Sequence, residues 1–536
     1  MSTTTDHAGN STAVAAWTMV SRVTGFVRIA VIAAVLGPTY LGSLFLAVNL
    51  LPNLALQLLA GSLVGSMLIP ALMPSIDRLD RASTAELAGG VLGAALVGLT
   101  LVAAVAILAA PLILGALTLG VADGAVAADQ ERTGLLLLAL TMPQLPLYGV
   151  AIIGGAVMNA HGRFRLAAFA PVAENVGLLG TMLAVALLYG TGSDIGSVSD
   201  GELLLLGLGS TGAVVLHAGV MLWGARRCVR GLVPRRGWRI EPVRALLRRL
   251  RASLGQSGLT ALRSFAMLAV ANTVPGGVVA FRLAVNFLYL PIQVGAQPIT
   301  LTVLPTLARL HQAGDAQRFR DECTRVLALV SFLTLPSAVA YVVLARPLAD
   351  AMAFGAMSGS AGPALVAACL AGVALAVIAE SAFALFTSAS YARNDSRSPL
   401  VATAAGTAIT LACLPLAVVL DDSSALLALG LAQSAGAGFS AWYLRRRLDA
   451  RLPAAGRSAR RAVTRTLGAS AAMAVPAYAV SLGVSHAIAG PVGAALGVVG
   501  AAVAGVGTFV ALQRRWDSAE LTFFTGGLRR LRRHTA

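Results

Sequence analysis

Charged and aromatic residues are scarce in this chain of 536 residues. Only 12% of the residues are charged and 5% are aromatic, whereas 57% are hydrophobic and the mean hydropathy is +0.80. Soluble domains carry about 25% charged residues, so this composition excludes a soluble globular protein. Apolar runs of the ~20 residues that a bilayer span requires recur along the whole chain. We therefore predict an all-α integral membrane protein with many spans.

Lysine is absent, since all 40 basic residues are arginine, and the 23 acidic residues leave a net charge of +17. We attribute the lack of lysine to codon usage in a GC-rich genome rather than to a special need for guanidinium. A basic excess also occurs in nucleic-acid-binding proteins, but here the charges lie between apolar segments, which indicates a membrane surface. The predicted partners therefore include membrane lipids and exclude nucleic acid.

Motifs of enzymes, metal sites and secretory signals are missing as well. The four cysteines lack CxxC spacing, and neither a nucleotide-binding loop nor an HExxH segment occurs. We therefore predict no enzyme, no metal and no resident cofactor. Residues 1–12 lack the basic start of a signal peptide, so the first hydrophobic segment is predicted to stay as a helix. Four histidines stand singly in the sequence: His161, His217, His311 and His486.

Segmentation at charges, glycines and prolines predicts fourteen transmembrane helices, arranged as two pseudo-symmetric six-helix bundles plus two C-terminal helices. The predicted spans are 14–37, 41–73, 86–115, 133–160, 166–190, 202–225, 256–274, 278–310, 323–346, 361–390, 398–420, 423–446, 466–488 and 490–513. The predicted domains are an N-terminal lobe (1–225), a basic cytoplasmic interfacial linker (226–255), a C-terminal lobe (256–446), helices 13 and 14 (447–513) and a basic cytoplasmic tail (514–536).

Arginine-rich connections alternate with acidic ones along the predicted topology. The acidic set contains only Arg132 and Arg346, whereas the other set includes "RRCVRGLVPRRGWR" and "RRLRR". The positive-inside rule therefore places both termini in the cytoplasm. An apolar stripe surrounded by arginines over 241–254 predicts a helix that lies on anionic lipid, with a solvated linker as the alternative. The basic segment 528–534 could behave in the same way or be disordered.

An internal repeat relates the two bundles. "LAVNLLP" at 46–52 recurs as "LAVNFLYLP" at 283–291, and "LIPAL" at 68–72 recurs as "VLPTL" at 303–307. Six helices per repeat give both halves the same orientation, related by an axis along the membrane normal. Two matching bundles favour a transporter with a central cavity over a static scaffold.

Ionisable residues remain inside the predicted spans, where each arginine costs roughly 2.5–3.5 kcal/mol to insert. They are Arg22, Arg28, Arg263, Arg282, Glu174 and Glu380. Arg22 and Arg28 flank Gly25 on the first helix, and guanidinium groups bind phosphate oxygens in pairs. We therefore predict that Arg22, Gly25, Arg28 and Arg263 bind a pyrophosphate-like anion. The alternative is that the arginines snorkel to the membrane edge and the glutamates neutralise them.

Five motifs in this order are similar to those of the MurJ (MviN) family of lipid II flippases, within the multidrug/oligosaccharidyl-lipid/polysaccharide exporter superfamily. They are "SRVTGFVR" (21–28), "LPNL" (51–54), "IPAL" (69–72), "MNAHGRFRLAAFAP" (158–171) and "YARNDSRSP" (391–399). The resemblance covers roughly residues 13 to 515. It implies fourteen helices in two lobes plus a final pair, and outward movement of an undecaprenyl-pyrophosphate-linked peptidoglycan precursor by alternating access.

The resemblance assigns Arg22 and Arg28 to the family's two cavity arginines. The functional arginine of helix 8 falls at Asn286, and Arg282 lies one turn earlier, so both are added to the predicted substrate site. Other charges of the family pattern are replaced by neutral residues, namely Ile29, Ser43, Leu56 and Gln57.

The resulting hypothesis is a lipid II flippase of the bacterial cytoplasmic membrane. Its predicted partners are a polyprenyl-pyrophosphate-linked glycan as substrate and membrane lipids. Cell-wall synthesis proteins are a further candidate partner. Membrane potential, Na⁺ or H⁺ resets the carrier, with Glu174 or Glu380 as the ion or proton site. The alternatives are a transporter of another lipid-linked glycan, a cation-coupled drug antiporter, and a paralogue that scaffolds cell-wall synthesis without transport.

Overall fold

The computed structural model describes residues 3–59, 63–78, 80–237, 241–359, 361–454 and 457–526, which form helices and turns without strands in those ranges. The helices are α1 (Thr3–Leu36), α2 (Tyr40–Leu59), α3 (Leu63–Asp77), α4 (Arg81–Leu108), α5 (Ala110–Thr118), α6 (Gly124–Thr141), α7 (Gln144–Ala160), α8 (Phe164–Leu188), α9 (Asp200–Cys228), α10 (Glu241–Ala271), α11 (Gly277–Pro291), α12 (Gln297–Gln312), α13 (Ala316–Val343), α14 (Ala345–Asp350), α15 (Ala361–Ala392), α16 (Arg397–Val419), α17 (Asp422–Asp449), α18 (Arg457–Ala487) and α19 (Gly490–Arg515), with a π-helix at Ile292–Ala296 and a 3₁₀ turn at Gly355–Ser358.

Thirteen helical segments of the described residues are long and apolar enough to cross a membrane. The all-α membrane fold is therefore confirmed. The predicted span 256–274 is not among the thirteen. It forms the second half of α10, where Gln256, Ser257, Thr260 and Arg263 dilute the apolar residues.

Helix α10 also includes the predicted interfacial segment, so that one continuous helix covers two predicted elements. Within 241–254, the side chains of 242 and 245–254 lie outside the described residues, as does the basic segment 528–534. The segment before α10 lies against α4, where the backbone N–H of Arg235 donates to the carbonyl of Gly89 at 2.9 Å. This contact holds the first part of the predicted linker on the N-terminal helices.

The chain divides into two compact units, Met1–Val279 and Ala280–Ala536. In the first unit, α7, α8 and α9 share a buried cluster of Ala151, Met158, Ala170 and Met221. The second unit has one core among α12, α13, α15 and α17, and another where Phe332 of α13 packs against Met473 of α18 and Phe509 of α19. Each unit therefore builds its own helical core.

Large apolar side chains cover much of the outer surface of these helices. Leu112 and Leu119 are 79% and 87% exposed, Leu187 is 77% exposed, and Val419 is 80% exposed. Soluble monomers rarely expose contiguous apolar surface on this scale, whereas lipid tails are an apolar solvent for it. The exposed faces therefore follow from the membrane environment that the composition predicts.

Two of the quoted motifs, at 158–171 and 391–399, include the turns after α7 and α15. Gly162 and Asn394 both adopt a left-handed backbone, with φ of 71° and 58°, two residues after the helix ends. Asp395 then accepts from the backbone N–H and hydroxyl of Ser398, at 2.9 and 2.7 Å, and from Arg451 at 3.2 Å. Partial burial raises the pKa of Asp395, but these donors outweigh burial and hold that pKa below its ordinary value.

Small residues let α15 and α17 approach at backbone distance, as in many membrane helix pairs. A Cβ added to Gly430 of α17 would lie 2.7 Å from the carbonyl oxygen of Cys369 and 2.9 Å from the Cα of Gly372 on α15. Neither atom belongs to a flexible side chain. A larger residue therefore requires the two helices to separate.

We expect Gly430→Ala to lower the thermal unfolding midpoint of the purified protein, at a cost of about 1–3 kcal/mol for overpacking. Gly438→Ala is the matched control, because a Cβ at Gly438 of the same helix meets nothing within 4 Å. Equal unfolding midpoints for the two variants would contradict the close packing of α15 and α17.

Candidate functional site

The two arginines of α1 have different surroundings. Arg22 is exposed, and among the described residues it makes no hydrogen bond or ion pair. Arg28 is half-buried, and one terminal nitrogen of its guanidinium lies 3.2 Å from Oε1 of Glu174 on α8. The Nε atom of Arg28 is buried and finds no acceptor in the described part of the chain. Among the described residues, the guanidinium of Arg22 therefore has no hydrogen-bond partner, and that of Arg28 has one acceptor but leaves its Nε without one.

Glu174 receives donors from three helices. Its Oε1 accepts from Arg28 of α1 and from the hydroxyl of Tyr148 on α7, at 3.2 and 3.1 Å, and its Oε2 accepts from Nδ1 of His217 on α9 at 2.7 Å. The side chains of Arg28, Glu174 and His217 are 24%, 14% and 12% exposed. We call Arg28, Tyr148, Glu174 and His217 the Glu174 cluster. It joins four helices of the first unit through one carboxylate.

His217 stands singly in the sequence but has polar neighbours in the structure. It lies 43 positions after Glu174 in the sequence, yet the packing of α8 against α9 brings the two side chains into hydrogen-bond contact. The ring of His217 also meets the ring of Tyr148 edge to face, with centroids 6.5 Å apart. A single ionisable residue in an apolar run therefore gained two polar neighbours only through tertiary structure.

Gly25 faces α8 rather than open space. A Cβ at this position would lie 3.6 Å from the amide nitrogen of Asn175. That amide donates to the carbonyl of Ser21 at 3.2 Å and to the hydroxyl of Thr24 at 2.9 Å, which fastens α1 to α8. The side chain next to Gly25, which was predicted to take part in anion binding, is thus that of Asn175, immediately after Glu174 in the sequence.

Each unit also contains a polar contact between helices outside the Glu174 cluster. In the first unit, Gln144 of α7 donates to Asn49 of α2 and to Thr211 of α9, at 3.1 and 3.2 Å. In the second unit, Glu380 of α15 accepts from Gln433 of α17 at 3.0 Å. The contact in the first unit is therefore made by an amide, whereas the contact in the second unit is made by a carboxylate.

The remaining predicted site residues lie on α10 and α11. Arg263 is half-buried on α10 in the same unit as Arg28, and Arg282 is half-buried on α11 in the second unit. The amide nitrogen of Asn286, one turn after Arg282, is buried without a hydrogen-bond acceptor among the described residues. The Glu174 cluster contains Arg28 and Glu174 of the predicted set, and the other predicted residues lie outside it.

Sequence reasoning missed Tyr148, His217, Asn175 and Gln144. Their signal was weak, because single polar residues in apolar spans are commonly hydrogen-bonding partners between helices. Counting histidine among the ionisable residues at membrane depth would have included His217 with Glu174 and Arg28. Only the side-by-side arrangement of α1, α7, α8 and α9 shows that these residues meet.

Comparison with known proteins identifies a family to which this chain is similar over most of its length. Residues 32–494 match the family model described as "Lipid II flippase MurJ". A probable lipid II flippase MurJ of Haemophilus influenzae is 25% identical over 343 residues, which cover 62% of this chain and 65% of that protein. The chain thus matches slightly less than two thirds of the length of this relative.

Solved structures show the same fold. A lipid II flippase MurJ in an inward closed conformation superposes with a TM-score of 0.72 at 14% identity, covering 94% of this chain and 99% of that one. An inward-facing multidrug resistance transporter of the MATE family, in the MOP superfamily, gives a TM-score of 0.64 at 13% identity, covering 80% and 95%. At these identities the likeness concerns the fold alone.

Proposed function

Because the chain belongs to the MurJ family of lipid II flippases, we propose that it moves lipid II, an undecaprenyl-pyrophosphate-linked peptidoglycan precursor, across the bacterial cytoplasmic membrane. The same membership confirms the family resemblance drawn from the sequence motifs, and it confirms a multi-pass membrane transporter rather than an enzyme. The identity of the cargo, the direction of transport and the location of both termini in the cytoplasm belong to the proposal.

The observation that carries the proposal is that Arg22 has no acidic partner among the described residues. A permanent charge within an apolar span costs roughly 2.5–3.5 kcal/mol, and in the described structure no acidic side chain offsets that cost at Arg22. Arg28, six residues later, keeps a buried Nε without an acceptor. Phosphate oxygens are strong acceptors for guanidinium groups. A pyrophosphate headgroup would therefore satisfy both residues, whereas a cationic drug would not.

In this proposal, Arg22 and Arg28 bind the pyrophosphate, and Arg263, Arg282 and Asn286 contribute further donors as the lobes rock in alternating access. The lobes are the predicted segments 1–225 and 256–446. The polyprenyl tail stays in the bilayer while the headgroup crosses. Membrane potential, Na⁺ or H⁺ resets the carrier, and Glu380 is the candidate ion site of the second unit. Cell-wall synthesis proteins that supply or consume the precursor are proposed partners.

Lipid II translocation by the protein alone tests this function. Purified protein is reconstituted into vesicles that hold lipid II with a fluorescent headgroup in one leaflet, and the appearance of the headgroup in the other leaflet is followed with a membrane-impermeant quencher. We expect translocation well above that of protein-free vesicles. The same assay is carried out in parallel with vesicles that contain a different polyprenyl-pyrophosphate glycan and with vesicles that contain a lipophilic cation.

The outcomes separate the alternative functions. Movement of the other glycan without lipid II would identify a different lipid-linked cargo, and counter-transport of the lipophilic cation would identify an antiporter. A folded protein that moves none of the three substrates would contradict the flippase proposal and favour a scaffold.

A further inference from the structure

The two ring nitrogens of His217 have different surroundings. The carboxylate of Glu174 can only accept hydrogen bonds, so Nδ1 of His217, at 2.7 Å, carries the proton between them. The opposite ring nitrogen, Nε2, is buried and has no hydrogen-bond partner among the described residues. A further proton would therefore bind at Nε2, and imidazole is the side chain that changes charge near neutral pH.

The charge of the Glu174 cluster depends on this proton. With neutral His217, Arg28 and Glu174 compensate each other across 3.2 Å. With protonated His217, one carboxylate faces two cations, and the cluster carries one uncompensated positive charge in surroundings of low dielectric constant. Such a charge is costly unless a counter-charge is near. An anion bound at the guanidinium of Arg28 is such a counter-charge.

Few other charges can interfere with this balance. Helix α9 packs against α6, α7 and α8, and the titratable groups that face His217 are Tyr148 of α7 and Glu174 of α8, with Arg28 behind the same carboxylate. Arg165 begins α8 nine residues before Glu174, roughly 13 Å away along the helix axis.

Helix α6 meets α9 near Leu140, whose carbonyl accepts from Thr211. The ionisable residues of α6, namely Asp129, Glu131 and Arg132, lie toward its opposite end. His217 therefore responds mainly to Glu174 and to whatever charge binds at Arg28.

We propose that His217 binds a proton together with the anionic headgroup and releases it when the headgroup leaves. This inference rests on the proposed function and adds a proton site to it. Protonated His217 holds Glu174 more tightly, which frees the guanidinium of Arg28 for phosphate oxygens. Linkage is reciprocal, so the proton strengthens headgroup binding by the same factor as the headgroup strengthens proton binding. Headgroup affinity therefore falls as the pH rises.

Binding of purified lipid II to the protein in lipid nanodiscs tests the proposal at about pH 6 and about pH 8, the range in which histidine titrates. The pyrophosphate of lipid II is a diester, and its charge is constant over this range. We expect roughly tenfold weaker binding at the higher pH, within the 5- to 150-fold range of typical linked sites. Calorimetry near neutral pH, in two buffers with different ionisation enthalpies, should show net proton uptake on binding.

His217→Asn is the decisive variant, because asparagine keeps an N–H donor toward Glu174 and cannot titrate. It should bind lipid II at both pH values with the weaker affinity of the unsubstituted protein, without proton uptake. His161→Asn is the matched control, since among the described residues Nδ1 of His161 bonds with the carbonyl of Val157 alone, at 2.9 Å. The pH dependence of lipid II binding should persist in this variant.

The two proposals fail differently in this experiment. Lipid II binding without proton uptake by the unsubstituted protein, or unchanged proton uptake in His217→Asn, would overturn the proton site and leave the flippase proposal standing. Absence of lipid II binding at both pH values would overturn the flippase proposal and the proton site together.

Discussion

Arg22→Ala should abolish most lipid II translocation without lowering the stability of the protein. Arg22 is exposed on α1 and makes no hydrogen bond or ion pair within the described structure, so its removal disrupts no contact there. A hydrogen bond to a charged group contributes about 1.5–3 kcal/mol, and each 1.4 kcal/mol is about tenfold in affinity. We therefore expect translocation in reconstituted vesicles to fall by roughly 10- to 100-fold, with no fall in the thermal unfolding midpoint.

Two further variants show whether the loss of translocation comes from the charge, the donor geometry or the position of Arg22. Arg22→Lys keeps the charge but not the planar pair of donors, and it should retain part of the activity. Arg318→Ala removes an arginine that is 80% exposed at the start of α13, and it should translocate normally. Full activity in Arg22→Ala would show that this guanidinium does not bind the cargo, and it would remove the main support for the flippase proposal.

Glu174→Leu should destabilise the protein more than any other single change in the Glu174 cluster. The substitution removes the acceptor of Arg28, Tyr148 and His217 at once. It leaves Arg28 half-buried in the membrane without its counter-ion. Breaking a buried ion pair in this way costs roughly 3–5 kcal/mol. The expected result is a clear fall in the unfolding midpoint of the purified protein.

A double-mutant cycle distinguishes the lost ion pair from lost packing. Arg28→Leu combined with Glu174→Leu should recover much of the stability, because the unpaired charge is then gone, but it should not recover translocation. Asp350→Asn is the control for an exposed pair, with Arg346 and Asp350 58% and 38% exposed, and it should cost less than about 1 kcal/mol. Additive effects of the two cluster substitutions would show that Arg28 and Glu174 are not energetically coupled.

The ion pair of Arg28 and Glu174 shows how far the sequence reached into the site. The cost of charge in lipid identified both residues as exceptional, and neutralisation of arginine by glutamate remained an open alternative. The structure shows that pair, at 3.2 Å. Hydropathy could not predict that Arg28 and Glu174, 146 positions apart, form a pair. It shows how well each segment suits the lipid environment, but it carries no information on which helices are neighbours.

The glycines of the chain illustrate the same limit. Gly25 was predicted to take part in anion binding, and the side chain of Asn175 on α8 lies next to it. Gly430 and Gly438 lie two turns apart on α17, yet only Gly430 meets a backbone. The sequence shows that a side chain is missing, whereas the packing of adjacent helices decides what occupies its place.

The class of the protein follows from its sequence alone, because water and lipid act on every residue locally. Apolar length, the scarcity of charge and the family motifs are readable without contacts, and they were sufficient for an all-α membrane transporter. Tertiary structure alone decided which polar residues meet. His217, Tyr148 and Asn175 became parts of a site because α1, α7, α8 and α9 pack together, and a buried polar group finds its partner across helices rather than along the chain.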